Sequence, residues 1–218
     1  QQTLDGARRD IEAAIALGPT HISAYHLTLE PNTPFHYAPP PLPDDDLAAD
    51  MQDMVEERLA AAGYEHYETS AFARPGRRCR HNLNYWEFGD YLGIGAGAHS
   101  KLTRADGSIA RDARPRGPKD YLADPVTRRW QVIAAADLPG EFMMNALRLN
   151  EGFAPALFGQ RTGLPLAAIE KLCEAVSTEP ALAARREGLL EVTDTLIRPT
   201  AMGRRYLNRL LEMFLADA

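Results

Sequence analysis

A histidine, two aromatic residues and a glycine-rich run lie close together within residues 80–99. The first part reads Arg80-His81-Asn82-Leu83-Asn84-Tyr85-Trp86, and the second reads Gly93-Ile94-Gly95-Ala96-Gly97-Ala98-His99. An imidazole is a natural ligand of haem iron, and tyrosine and tryptophan rings offer flat, amphipathic surface to a porphyrin. Glycines let the backbone approach a ligand closely. The pattern therefore indicates a candidate site for a flat, iron-containing ligand.

Both features also have an ordinary structural explanation. His81 can be a loop histidine that only fixes the backbone, with Asn82 capping a turn. The glycine run lacks the GxGxxG spacing of a dinucleotide site and the lysine of a P-loop. It can therefore also be a tight strand end packed against a helix. The residues alone leave both alternatives open.

Composition excludes several classes of protein. The 218 residues suit one large domain or two small ones, and the hydrophobic content of 45% is enough for a buried core. The formal net charge of -6 argues against nucleic acid as a partner, because nucleic-acid binding usually needs a basic face. We see neither an apolar run long enough for a membrane helix nor a signal peptide. Two distant cysteines, Cys79 and Cys173, fit a reducing compartment, so we expect a cytoplasmic protein.

The predicted elements of the first half indicate an α/β fold. They are a helix at about 4–17, a strand at about 21–29, a helix at about 44–62 and a strand at 64–70. Alternating helices and strands are typical of βα units and predict a parallel sheet. Because the chain starts with a helix, we expect the sheet to begin upstream of residue 1. A short hairpin is predicted at 101–116, around Asp106-Gly107.

A second unit is predicted from about residue 137. Its elements are three helices (141–149, 154–161 and 166–176), two short strands (189–192 and 196–198) and a last helix. Thr200 is placed to N-cap that last helix. Three helices with a small β-wing predict a winged-helix-like module. The predicted third helix has no arginine to read guanine, so we expect the module to cover a site or dock a client rather than bind DNA.

The HNxxY pattern, here His81-Asn82-Leu83-Asn84-Tyr85, and the segment at 21–34 (HISAYHLTLEPNTP) resemble HemW. HemW is the haem-chaperone branch of the radical S-adenosylmethionine (SAM) family, often labelled oxygen-independent coproporphyrinogen III oxidase-like. The resemblance implies the C-terminal part of a partial (β/α) barrel at 1–115, a linker at 116–136 and a HemN C-terminal-like helical, winged-helix domain at 137–218.

The same resemblance implies roles for particular residues. In that family the HNxxY motif is associated with haem binding, which makes His81 the implied iron ligand and places Asn82 and Tyr85 beside the haem. The glycines Gly93, Gly95 and Gly97 are implied to lie near bound SAM. Two further positions, Thr28 and His99, line up with SAM contacts in coproporphyrinogen-oxidising relatives. Alternatively, Thr28 is a plain strand threonine and His99 donates to a carbonyl.

The resemblance also implies a function for the full-length protein. It would bind a [4Fe-4S] cluster through three cysteines, bind SAM, and deliver haem to client proteins such as respiratory enzymes, some at the inner membrane surface. The cysteine triplet is absent from this sequence, so the chain alone is not expected to be catalytic. The alternatives are an oxygen-independent coproporphyrinogen III oxidase of porphyrin biosynthesis and a docking module without haem. Exposed strand edges would favour a homodimer.

Overall fold

The computed structural model of the chain describes residues 2–169 and 188–214. The chain packs as two compact units, residues 1–79 and residues 80–218, which we describe separately. In the described ranges no helix is both long enough and apolar enough to cross a membrane.

The helices of the first unit begin at side-chain caps that the sequence supplies. Helix α1 (Leu4–Ala16) is capped by the Thr3 hydroxyl, which accepts from the Gly6 amide. A short helix α2 (Pro34–Tyr37) precedes α3 (Asp45–Ala61). The Asp44 carboxylate caps α3 by accepting from the Leu47 amide at 2.8 Å. Acidic groups at a helix N-terminus satisfy free N–H groups and suit the helix dipole, so these boundaries follow from local sequence.

The three strands of the first unit pair only in the antiparallel sense, so the predicted parallel sheet is wrong for these residues. They are β1 (His21–Ser23), β2 (Glu65–Glu68) and β3 (Ala71–Ala73), in the order β1-β3-β2. Strands β1 and β2 run in the same direction, as βα units predict, but β3 lies between them. Only two residues separate β2 from β3, which is enough for a hairpin and too few for a parallel crossover.

The predicted strand at 21–29 is also shorter than expected. It ends at Ser23 because its partner β3 has three residues. The side chains of Tyr25 and Leu27 beyond it are 74% and 48% exposed. The core of this unit lies between α1, α3 and the sheet and contains Ala7, Ile11, Ile22, Met51, Met54, Leu59, Tyr64 and Phe72.

The second unit begins with a helix and a three-stranded antiparallel sheet. Its first elements are α4 (Arg80–Trp86), β4 (His99–Thr103), β5 (Ile109–Ala113), α5 (Pro118–Ala123) and β6 (Gln131–Val132), with sheet order β4-β5-β6. The predicted hairpin around Asp106-Gly107 is confirmed as the β4–β5 connection. Both α5 and β6 lie within the segment predicted as a linker; the predicted domain bounds stay a prediction.

The remaining elements follow the predicted order. They are α6 (Leu138–Ala146), α7 (Pro155–Thr162), β7 (Leu190–Val192), β8 (Ile197–Pro199), α8 (Ala201–Arg205) and α9 (Leu207–Glu212). The cap by Thr200 is confirmed, since its hydroxyl accepts from the Gly203 amide at 3.0 Å. The predicted single last helix is interrupted at Tyr206, where φ is -111° and ψ is 41°. Most of the predicted helix at 166–176 lies outside the described residues.

Aromatic rings form the centre of the second unit's core. The ring of Phe142 is fully buried and meets Phe88, Phe153 and Phe158 edge-on, with centroids 5.1–5.7 Å apart. Edge-to-face pairs of this kind stabilise beyond the area that they bury. The core thus holds α6 against α7 and against Phe88, which directly follows the HNxxY helix.

Candidate functional site

The HNxxY motif forms a helix, and its histidine and tyrosine lie on one face. His81 and Tyr85 are four residues apart on α4, which makes them neighbours on the helix surface. Their ring centroids are 4.9 Å apart and the planes are tilted by 53°. His81 is exposed, whereas Asn82 and Tyr85 are half-buried. An imidazole in this position is reachable by an iron atom outside the protein surface, beside an aromatic ring.

Tyr91 extends this aromatic surface. Its ring stacks on Tyr85 with centroids 4.1 Å apart and planes 23° from parallel. A tight turn brings Tyr91 back: Phe88 adopts φ 55°, and a Cβ on Gly89 would lie 2.1 Å from Oδ1 of Asn84. The Asn84 side chain donates to the Asp90 carbonyl at 3.0 Å, and the Gly89 amide donates to the Asn84 carbonyl at 2.7 Å. Asn84 therefore shapes the turn, a role that the motif alone did not indicate.

The hydroxyl of Tyr85 stays protonated at neutral pH. Burial, together with the hydrogen bond to Tyr91, raises the pKa of Tyr85 to about 12. A phenol in this state offers ring surface and a neutral O–H group rather than an anionic iron ligand. On α4, the imidazole of His81 is thus the side chain best suited to ligate iron.

The glycine run forms the loop that leads into β4, and its N–H groups are used inside the protein. The Gly93 amide donates to Ser100 Oγ at 2.9 Å, the Gly95 amide to Tyr121 Oη at 3.1 Å and the Gly97 amide to the Pro115 carbonyl at 2.8 Å. Gly95 and Gly97 have φ values of 111° and 72°, which glycine tolerates best. These glycines therefore shape the loop rather than present amides to a ligand.

The loop presents apolar side chains to solvent. Leu92 is 55% exposed and Ile94 is 80% exposed, on either side of Gly93. A ligand at this loop would meet these side chains and the carbonyl groups.

A buried ionic cluster holds the glycine loop in place. The Arg128 guanidinium donates to the Gly93 carbonyl at 2.9 Å, to Ser100 Oγ at 2.8 Å and to the Asp112 carboxylate at 3.1 Å. Asp112 also accepts from the Arg129 amide at 2.7 Å and lies 3.9 Å from Arg114. The Asp112 and Arg114 side chains are each only 1% exposed. Sequence reasoning missed this cluster, because its members are far apart in the chain and form no motif.

Replacing Gly93 with alanine tests how tightly the loop is packed. The new Cβ would lie 2.1 Å from the His99 carbonyl oxygen, so backbone has to move. We expect a loss of about 1–3 kcal/mol in the free energy of unfolding, measured by urea denaturation. The control is Gly159→Ala in α7, where the nearest atom is 3.4 Å away, and we expect it to be neutral or slightly stabilising. Equal stabilities of the two variants would contradict the packing described here.

The other predicted site residues lie as follows. His99 is the first residue of β4 and is exposed, and Ser100 follows it directly. Thr28 is exposed, outside β1, and belongs to the first unit. The structure brings His81 and Tyr85 into contact, and it places the three glycines in the loop that leads into β4, whose first residue is His99. The roles of all these residues in binding SAM or haem stay predictions.

A cavity of about 420 Å³ opens beside the aromatic surface of α4. Its walls come from α4, the following turn, the β4–β5 sheet and α6. The lining residues are Tyr85, Trp86, Phe88, Tyr91, Lys101, Arg111, Glu141, Met144, Asn145 and Arg148. Sequence reasoning named only the two aromatic residues of the motif among these, because the cationic residues come from three separate elements.

The residues of this chain do not fit the iron–sulfur cluster that the resemblance implies. The sequence holds two cysteines, fewer than the three thiolates expected of such a site. Within residues 2–169 and 188–214, no group of three or more histidine, cysteine, aspartate or glutamate side chains is arranged to hold a metal ion.

Comparison with known proteins identifies relatives of the chain. The sequence model of the HemN C-terminal domain matches residues 133–206. The chain is 44% identical over 216 residues to the heme chaperone HemW of Escherichia coli (strain K12), which covers 99% of this chain and 55% of that protein. The chain is thus homologous to HemW heme chaperones over nearly its whole length. The heme chaperone HemW of Haemophilus influenzae is 43% identical over 216 residues, covering 99% of this chain and 54% of that protein.

A more distant relative carries the same name. The heme chaperone HemW of Mycobacterium tuberculosis (strain H37Rv) is 33% identical over 206 residues, covering 92% of this chain and 48% of that protein. The chain thus spans about half the length of the curated relatives it matches.

A solved structure shares the fold. The coproporphyrinogen III oxidase HemN of Escherichia coli, a radical SAM enzyme, superposes with a TM-score of 0.68 at 17% identity and covers 98% of this chain and 52% of that one. The predicted fold class is confirmed in that the helices and sheets of the chain match the fold of HemN and the chain contains a HemN C-terminal domain.

Proposed function

We propose that this homologue of HemW binds haem and delivers it to haem-dependent client proteins. The observation that carries the proposal is the exposed His81 imidazole, set 4.9 Å from Tyr85 on the helix formed by the HNxxY motif. The 44% identity to a heme chaperone across nearly the whole chain supports the same function.

The geometry around His81 suits a haem that has to be released to a client protein. His81 offers one imidazole at the surface, where a client's own ligand can approach the iron. The stacked Tyr85 and Tyr91 rings give the porphyrin an aromatic contact that needs no bond to be broken on release. Haem bound in this way is held by one iron ligand and by ring contacts, which favours exchange.

We extend the proposal to the cofactors and partners implied by the resemblance. The full-length protein binds SAM, with Thr28, the glycine loop and His99 as its contacts, and a [4Fe-4S] cluster. The clients are respiratory and other haem proteins, reached from the cytoplasm and in part at the inner membrane surface. The negative net charge of the chain favours protein partners over nucleic acid. A homodimer through exposed strand edges belongs to the same proposal.

A transfer assay tests the proposed function. The haem-loaded protein is mixed with an apo haem protein, and the acceptor's own Soret band reports transfer. We expect transfer from the wild type and about tenfold less haem loading of His81→Ala, because the ligand bond is lost. Oxidation of coproporphyrinogen III by the full-length wild type without haem transfer would favour the oxidase instead. Failure of both activities would favour a docking module.

A further inference from the structure

The cavity beside α4 combines flat aromatic surface with cationic side chains. The rings of Tyr85, Trp86 and Tyr91 form one side, and Arg111, Arg148 and Lys101 contribute positive charge. Glu141 is the one carboxylate among the lining residues. Such a lining favours a ligand that is itself flat, apolar over its ring and anionic at one edge.

The two arginines are the cations that such a ligand would meet. Lys101 is 2% exposed, lies 4.2 Å above the centre of the Phe88 ring and is paired with Asp90 at 3.2 Å. Burial therefore leaves Lys101 less accessible to a ligand than the two arginines are. Arg111 pairs with Glu141 but its side chain is 39% exposed. The Arg148 guanidinium lies 5.1 Å from the centre of the Trp86 ring, at the aromatic side of the cavity.

Two side chains of the lining carry hydrogen-bond donors that the protein does not satisfy. The indole Nε1 of Trp86 and the guanidinium Nε of Arg111 are buried and have no hydrogen-bond partner in the described part of the chain. Buried donors are nearly always paired with protein, water or ligand, so these two N–H groups favour a nearby acceptor, either a water or a ligand oxygen. Both groups are donors only, which favours an anion or a carbonyl oxygen over a cation.

Tyr85 links the cavity to the predicted iron ligand. This residue lines the cavity and also contacts His81, whose ring centroid is 4.9 Å away. We propose that the cavity binds the carboxylate-bearing edge of a tetrapyrrole, with Arg111 and Arg148 pairing its carboxylates and Trp86 lying against its ring. This inference rests on the proposed function and identifies the carboxylates as the part of the ligand that gives specificity.

Iron-free protoporphyrin IX and its dimethyl ester test the inference, because neither can be ligated by His81 through iron. Each is titrated into the protein and binding is followed by porphyrin fluorescence. We expect the wild type to bind the free acid about tenfold more tightly than the ester, and Arg148→Gln to remove that preference. Arg148→Lys, which keeps the charge, should retain part of it. The control is Arg104→Gln, an exposed arginine of the β4–β5 turn, which should bind as the wild type does.

The outcomes separate this inference from the proposed function. If Arg148→Gln folds, as judged by circular dichroism, and still prefers the free acid, the carboxylate site is overturned. Equal binding of acid and ester by the wild type, or binding of neither, overturns it as well. A clear preference for the free acid in a protein that fails to transfer haem would support the carboxylate site and contradict the proposed chaperone function.

Discussion

Replacing Phe142 with alanine is expected to lower the free energy of unfolding by about 3–5 kcal/mol. The ring is fully buried in α6 and meets three other phenylalanine rings edge-on. The substitution removes those contacts and leaves a cavity among rigid rings that cannot collapse around a methyl group. Urea denaturation followed by circular dichroism measures the change.

Phe35→Ala is the matched control for Phe142→Ala. Phe35 lies in α2 and is 52% exposed, so its truncation creates no buried cavity. We expect a change within about 0.5 kcal/mol. Similar losses from the two substitutions would mean that Phe142 does not occupy the centre of a packed core.

Replacing Asp112 with alanine is expected to cost about 3–5 kcal/mol, since it removes one partner of a buried ionic cluster. Arg114 is 1% exposed, and Asp112 is the carboxylate beside it, at 3.9 Å. The Arg128 guanidinium and the Arg129 amide would lose an acceptor at the same time. Arg128 also holds the Gly93 carbonyl, so we expect the Gly95 amide to exchange its hydrogen faster in this variant.

A surface ion pair provides the control for Asp112→Ala. Glu191 pairs with Arg198 at 2.8 Å between β7 and β8, with both side chains more than 40% exposed. Pairs of this kind contribute about 0–1 kcal/mol, so Glu191→Ala should cost little. Chemical denaturation of both variants decides the matter: comparable stabilities would contradict the buried cluster as the anchor of the glycine loop.

Features set by neighbouring residues were predictable from the sequence. The caps at Asp44 and Thr200 and the hairpin around Asp106-Gly107 depend on side chains within three residues of the backbone they satisfy. Both partners of each of these hydrogen bonds therefore lie within one short stretch of sequence. Helix α4, which places His81 beside Tyr85, was not predicted, because the sequence analysis described His81 only as an iron ligand or a loop histidine.

Features set by distant residues were not predictable in this way. Strand β3 enters between β1 and β2 although βα periodicity predicts direct parallel pairing, because register depends on partners that the local pattern does not name. Arg128 reaches Gly93 across 35 residues. The cavity likewise joins Arg111 of β5 to Arg148, which follows α6.

The most direct test of the account is a haem titration followed by the Soret band, with wild type beside His81→Ala and His36→Ala. His36 is a matched control, because it is also an exposed histidine on a helix with a tyrosine ring nearby, 5.5 Å away. If His81 ligates the iron, His81→Ala loses haem occupancy or shifts the ligation spectrum, while His36→Ala binds haem as the wild type does. Identical haem binding by all three proteins would contradict the assignment of His81 as the iron ligand.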